Sequence, residues 1–136
     1  MAINVLQAAK HLCEKSQWKY TNLELQKLLY ISHMFYLGTY NKPLIDGTFR
    51  ALKYGPVHYK LYDKLKYYGT EPIEQHIFND IEDLDFNKYG KEIKILDLVG
   101  SHFPPGSGAK LISITHFPGG AWERNYKYDR NIFPTF

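Results

Sequence analysis

The sequence predicts a mainly α-helical (α+β) fold: a compact single domain of about five helices with a small β-hairpin. First, a length of 136 residues is close to the commonest size of one domain, so residues 1–136 should share a single core. Second, apolar residues recur at the i, i+3, i+4 spacing of amphipathic helices in most segments between turn signals. Third, 44% hydrophobic and 23% charged residues are typical of a globular chain rather than a disordered one.

The first helix is predicted over residues 2–16, where apolar residues at helical spacing place Cys13 in the core. A second helix should begin at Thr21, because Glu24 follows three positions later, as in a capping box. This second helix is apolar on almost all sides, which indicates a central position in the fold. Gly38 is expected to cap its C-terminal end.

A short strand is predicted over residues 48–53, where the side chains alternate in character. Residues 73–78 are the candidate second strand of a small hairpin. Gly55-Pro56 is expected to open a third helix, since proline at the first helical position loses no hydrogen bond, and Gly69 should end that helix.

Two further helices are predicted towards the end of the chain. The fourth covers residues 86–103 and stops at the Pro-Pro-Gly sequence of residues 104–106. Ser107 is expected to cap a short fifth helix. A final segment lies around Trp122, which could anchor that segment in the core or form an exposed interaction hot spot.

Composition limits the possible functions. Cys13 is the only cysteine, which excludes an intramolecular disulfide and suits a reducing cytoplasm. No apolar stretch approaches the roughly 20 residues that span a bilayer. The net charge of +3 falls short of the basic bias typical of nucleic-acid-binding domains. We therefore expect a cytoplasmic protein that does not insert into a membrane and for which nucleic acid is not the first partner to expect.

Motifs for catalysis and metal binding are missing from the sequence. The six histidines show none of the close pairings that place two zinc ligands on one helix face, and Cys13 falls on an apolar face where a thiol is usually inert. Residues 25–36 could resemble a DNA-recognition helix, but they are apolar apart from Gln26, Lys27, Ser32 and His33. The sequence thus predicts no catalytic residue, no metal and no cofactor.

Three motifs occur in an order and spacing that fit a known family over most of residues 1–125. They are LQKLLY with Gln26, Lys27 and Tyr30; KYGPV with Gly55 and Pro56; and the segment with Thr115, His116 and Trp122. On these motifs the chain resembles the Panacea domain, the family of SocA-like antitoxins that also includes phage-associated GepA-like proteins.

The resemblance implies a small bacterial antitoxin, often encoded beside its toxin on prophages and other mobile genetic elements. Such a protein is expected to bind and neutralise a cognate protein toxin. In SocA-like members the antitoxin can also act as an adaptor that hands the toxin to a AAA+ protease. The resemblance therefore predicts a protein–protein interaction rather than an enzymatic reaction.

The tyrosine-rich segment after the KYGPV motif is the candidate partner-binding surface, because tyrosine buries much area for few frozen torsions. Its residues are Lys53, Tyr54, Tyr59, Lys60, Tyr62 and Lys64.

Structural explanations of the same motifs stay open. The KYGP sequence can serve a sharp turn, and Thr115 and His116 can serve a helix end. Two other functions also stay open: an enzyme using His116 with an acid such as Glu123, or nucleic-acid binding through the lysines of residues 53–66.

Overall fold

The computed structural model describes residues 2–52, 55–115 and 131–132. Within these residues the elements follow in the order α1 (Val5–Lys15), α2 (Asn22–Tyr40), β1 (Phe49–Leu52), β2 (Gly55–His58), α3 (Tyr59–Leu65), α4 (Gly90–His102), α5 (Gly108–Thr115) and β3 (Asn131–Ile132). Two 3-10 turns, Lys66–Tyr68 and Gln75–Phe78, connect α3 to α4. The mainly helical fold with a hairpin is confirmed, and β3 extends the hairpin to a sheet of order β2-β1-β3.

Helix α2 lies at the centre of the fold, as its apolar circumference predicts. It contacts α1, α3, α4, α5 and β2. The capping box is confirmed: Thr21 Oγ1 accepts from the backbone N–H of Glu24 at 3.2 Å, and Glu24 Oε1 accepts from that of Thr21 at 3.0 Å. The prediction that Gly38 caps the helix is wrong. The helix continues to Tyr40, and Asn41 ends it with a left-handed φ of 55°, a conformation that asparagine tolerates.

The hairpin corrects two predictions. Gly55-Pro56 does not open a helix: with a φ of 113°, Gly55 is outside the helical region, and it pairs with Leu52 in the antiparallel β1–β2 ladder. Pro56 is accommodated because β2 is an edge strand, where a missing N–H is tolerated. Helix α3 begins only at Tyr59. Residues 73–78 are not the partner of β1, since Gln75–Phe78 form a 3-10 turn that buries Phe78 in the core.

The remaining helices agree with the predictions except at their ends. Helix α4 starts at Gly90 rather than near residue 86, because the Asp85 carboxylate accepts from the N–H of Asn87 and holds a turn there. Helix α5 begins next to Ser107, whose carbonyl accepts from Leu111 N–H. The segment around Trp122 lies outside the described residues. Among those residues, no helix is both long and apolar enough to cross a membrane.

Candidate partner-binding site

The four polar residues that interrupt the apolar sequence of residues 25–36 in α2 are all buried. Gln26, Lys27, Ser32 and His33 are each no more than 2% exposed, and each forms a hydrogen bond. Three of them bond to the β1–β2 hairpin or to the loop that precedes it. Buried polar groups in an otherwise apolar helix require such partners. Polar residues within an otherwise apolar helix therefore indicate buried hydrogen bonds to another segment. This role was not predicted for them from the sequence.

The side chain of Gln26 forms hydrogen bonds with the backbone of strand β2. Its Oε1 accepts from the backbone N–H of His58 at 2.8 Å, and its Nε2 donates to the carbonyl oxygen of His58 at 3.3 Å. Nε2 also lies 3.4 Å from Asn22 Oδ1. The side chain thereby satisfies both backbone groups of one residue, as a neighbouring strand would. This pair of bonds holds the hairpin against α2.

Lys27 makes a second link to the same strand. Its Nζ donates to the carbonyl oxygen of Pro56 at 2.9 Å, and burial lowers the pKa of Lys27 to about 8. None of the ion pairs among the described residues involves Lys27. The LQKLLY and KYGPV motifs are therefore joined directly in space, through a lysine that has no carboxylate partner in the described part of the chain.

Two neutral histidines flank Phe49 beneath the hairpin. The ring of His33 lies 5.4 Å from that of Phe49, and the ring of His58 lies 5.3 Å from it. His33 Nδ1 accepts from Ile45 N–H at 3.1 Å, while His58 Nε2 donates to the carbonyl oxygen of Asp46 at 2.7 Å. Burial lowers the pKa of both, that of His33 to about 4. Family-motif residue Tyr30 also packs edge-on against Phe49, at 5.5 Å.

An exposed aromatic cluster, here called the tyrosine face, consists of Arg50, Tyr59 and Tyr62. Tyr59 and Tyr62 are 37% and 39% exposed, and their ring centroids are 6.3 Å apart at an interplanar angle of 76°. The Arg50 guanidinium lies 4.9 Å from the Tyr59 ring centroid, a cation–π arrangement. Arg50 was not among the predicted partner-binding residues, because only the β1–β2 register places it beside the start of α3.

The other predicted partner-binding residues differ in position. Lys60 is exposed on α3. Lys64 instead contacts the acidic segment: its Nζ lies 3.4 Å from Asp80 Oδ1 and 5.9 Å from the Phe78 ring centroid. Lys53 and Tyr54 lie outside the described residues. The structure therefore places Tyr59 and Tyr62 together and engages Lys64 elsewhere.

A groove of about 750 Å³ adjoins the tyrosine face. It lies between the first half of α2, strand β2, helix α3 and the start of α5, and we call it the α2–α5 groove. Apolar side chains form much of its wall, and its lining includes Leu23, Lys27, Val57, Tyr62, Ala109 and Ile112. Its volume is within the range of small-molecule and side-chain binding sites.

Glu24 is the acidic residue in the described lining of this groove. Its Oε1 accepts from the N–H and the hydroxyl of Thr21, and its Oε2 accepts from Gly106 N–H at 2.7 Å. The carboxylate thus accepts three hydrogen bonds that cap α2 and hold the loop before α5. It forms none of the ion pairs found among the described residues, so it is not paired with Lys27.

Of the residues named for the third motif, Thr115 is the one that the structure describes. Thr115 is buried, and its hydroxyl donates to the Leu111 carbonyl oxygen at 2.9 Å, which agrees with a role at a helix end. His116, Trp122 and Glu123 lie outside the described residues. Burial raises the pKa of Cys13 to about 12, so this thiol stays protonated. The described residues contain no group of three side chains that could hold a metal ion.

Comparison with known proteins identifies relatives of the chain. The family model described as "Antitoxin SocA-like, Panacea domain" matches residues 25–123. The chain is also similar to the protein named Antitoxin SocA from Caulobacter vibrioides (strain NA1000 / CB15N), at 30% identity over 113 aligned positions, in an alignment that covers 76% of this chain and 58% of that protein. The chain therefore spans little more than half the length of that relative. No solved structure matches it.

Proposed function

Because this chain belongs to the Panacea-domain family of SocA-like antitoxins, we propose that it is an antitoxin that neutralises a cognate protein toxin in the bacterial cytoplasm by binding it directly. The observation that carries the choice of surface is the tyrosine face. Its two rings are held by each other and by Arg50, yet remain more than a third exposed. Such preorganised aromatic and arginine side chains are typical centres of protein interfaces.

The charges around the tyrosine face favour a protein partner over nucleic acid. A phosphate-binding surface needs several free cations. Here Lys60 is exposed, but Lys64 pairs with Asp80, and Lys66 lies 3.6 Å from Asp63 Oδ1. Aromatic side chains form the centre of the surface, and complex formation should therefore depend weakly on salt.

The test is co-expression of the chain with the protein encoded beside it, followed by scoring of growth and purification through a tag on this chain. A neighbour that is toxic alone, is rescued by co-expression and co-purifies supports the antitoxin function. A harmless neighbour that does not co-purify would refute it.

Variants then locate the toxin-binding surface. Tyr59→Ala and Tyr62→Ala should each weaken toxin binding by about 30-fold, the effect of losing about 2 kcal/mol at an interface centre. Tyr67→Ala is the matched control, because Tyr67 is 88% exposed just after α3 and packs only against Lys66 among the ring contacts described. Equal affinities for all three variants would exclude the tyrosine face as the binding surface.

The toxin's lifetime distinguishes neutralisation by binding alone from an adaptor role. If the chain hands its toxin to a AAA+ protease, co-expression should shorten the toxin's half-life, and removal of the protease should restore it. A toxin that remains stable in the complex indicates that binding alone neutralises it.

A further inference from the structure

We infer that the α2–α5 groove binds a segment of the partner that presents an apolar side chain next to a carboxylate, and that Lys27 receives the carboxylate. This inference rests on the proposed function, since the toxin is the partner that would supply the segment. It goes further by naming a second contact beside the tyrosine face and the chemistry that this contact selects.

The walls of the groove favour an apolar side chain of the partner. Leu23 of α2, Val57 of β2 and Ile112 of α5 contribute to its lining from three separate elements. A volume of about 750 Å³ is large enough for one or two side chains of a partner. Tyr62 belongs both to this groove and to the tyrosine face. A partner that covers the tyrosine face therefore passes directly over the groove.

The charge of Lys27 favours a carboxylate on the partner. This residue is 2% exposed, its described hydrogen bond goes to one backbone carbonyl, and Glu24, the acid in the same lining, is occupied by Thr21 and Gly106. Burying an ammonium group costs desolvation free energy, and pairing with a carboxylate offsets part of that cost.

Holding the hairpin does not require this charge. The single carbonyl of Pro56 could be satisfied by a neutral donor, as Gln26 does for the backbone of His58. The positive charge of Lys27 is therefore not needed to hold the hairpin, but it would form an ion pair with an incoming carboxylate.

The experiment uses two capped dipeptides as probes, acetyl-leucyl-glutamate amide and acetyl-leucyl-glutamine amide. Each is titrated into the full isotope-labelled chain and followed by the amide NMR signals of Val57 and Ile112. The glutamate peptide should bind about tenfold more tightly, the difference between a charge-assisted and a neutral hydrogen bond. Lys27→Met should remove this preference, and Lys19→Met, a lysine in the same lining, should retain it.

A pH series keeps the test decisive even if Lys27→Met does not fold. Raising the pH from about 7 to about 9.5 neutralises an ammonium whose pKa is about 8, while the peptide carboxylate stays ionised. The preference should therefore fade in the wild-type chain. Lys19, Glu24 and Tyr62 are the other titratable side chains in the described lining. Repeating the series with Lys19→Met and Tyr62→Phe should show the same loss.

Equal affinities for the two peptides, no binding of either, or a preference that survives in Lys27→Met or at the higher pH would overturn the inference. The co-expression experiment is independent of these outcomes. Rescue of growth without any peptide preference would reject only the groove inference. A harmless neighbour that does not co-purify would reject the antitoxin function itself.

Discussion

Acid should destabilise this protein through His33, which is buried beside Phe49. Burial, and then the nearby His58, lower the pKa of His33 from 6.5 to about 4. Between these two values the unfolded chain binds a proton that the folded chain excludes. Stability from this group is therefore complete above about pH 6.5 and decreases as the pH falls towards 4. A shift of about 2.5 units at 1.36 kcal/mol per unit corresponds to a loss of about 3 kcal/mol.

His33→Gln isolates this contribution. The glutamine oxygen can accept the N–H of Ile45, which His33 Nδ1 accepts in the wild type, but it does not titrate. Urea unfolding at about pH 7 and about pH 4 gives the free energy of unfolding for each protein. The variant should lose about 3 kcal/mol less than the wild type between the two pH values. His76→Gln, at an exposed histidine, should leave the wild-type difference unchanged.

Parallel losses in wild type and His33→Gln would refute this reasoning. They would mean that His33 accepts a proton in the folded protein without penalty. The acid sensitivity of the chain would then arise from its carboxylates or from His58, whose pKa is also lowered by burial.

Three other stability predictions can be checked by the same urea titrations at neutral pH. Gln26→Ala should cost about 2–4 kcal/mol, because it leaves the buried N–H and C=O of His58 without their partner; a cost below about 1 kcal/mol would mean that water replaces the side chain. Gly55→Ala should destabilise by about 1–3 kcal/mol, since its φ of 113° excludes a side chain, whereas Gly38→Ala inside α2, with open space around it, should stabilise by about 0.5–1 kcal/mol. The same sign for both glycine variants would contradict the backbone argument. Glu24→Ala should cost about 2 kcal/mol through the lost capping box, and an unchanged midpoint would show that the cap is dispensable.

The sequence identified many residues of the candidate site, but it did not predict which of them contact each other. The tyrosines of residues 59–62 were predicted to form a surface, and the structure exposes them. Gln26 and Lys27 were identified as residues of the LQKLLY motif and as polar exceptions in an apolar helix, but their contacts were not predicted. Their partners lie 32 and 29 positions further along the chain, and no local pattern encodes contacts at that separation.

The sequence by itself determined the features that depend on neighbouring residues. The capping box at Thr21, the burial of Cys13, the strand at residues 49–52 and the central helix all follow from local spacing and side-chain chemistry. Only the tertiary structure decided whether Gly55-Pro56 begins a helix or a strand, because both roles suit that dipeptide locally. Pairing with β1 on one side, and the buried side chains of Gln26 and Lys27 on α2, select the strand. The physical reason is that the hydrogen bonds of Gln26 and Lys27 to strand β2 form only when two segments far apart in the chain have already packed together.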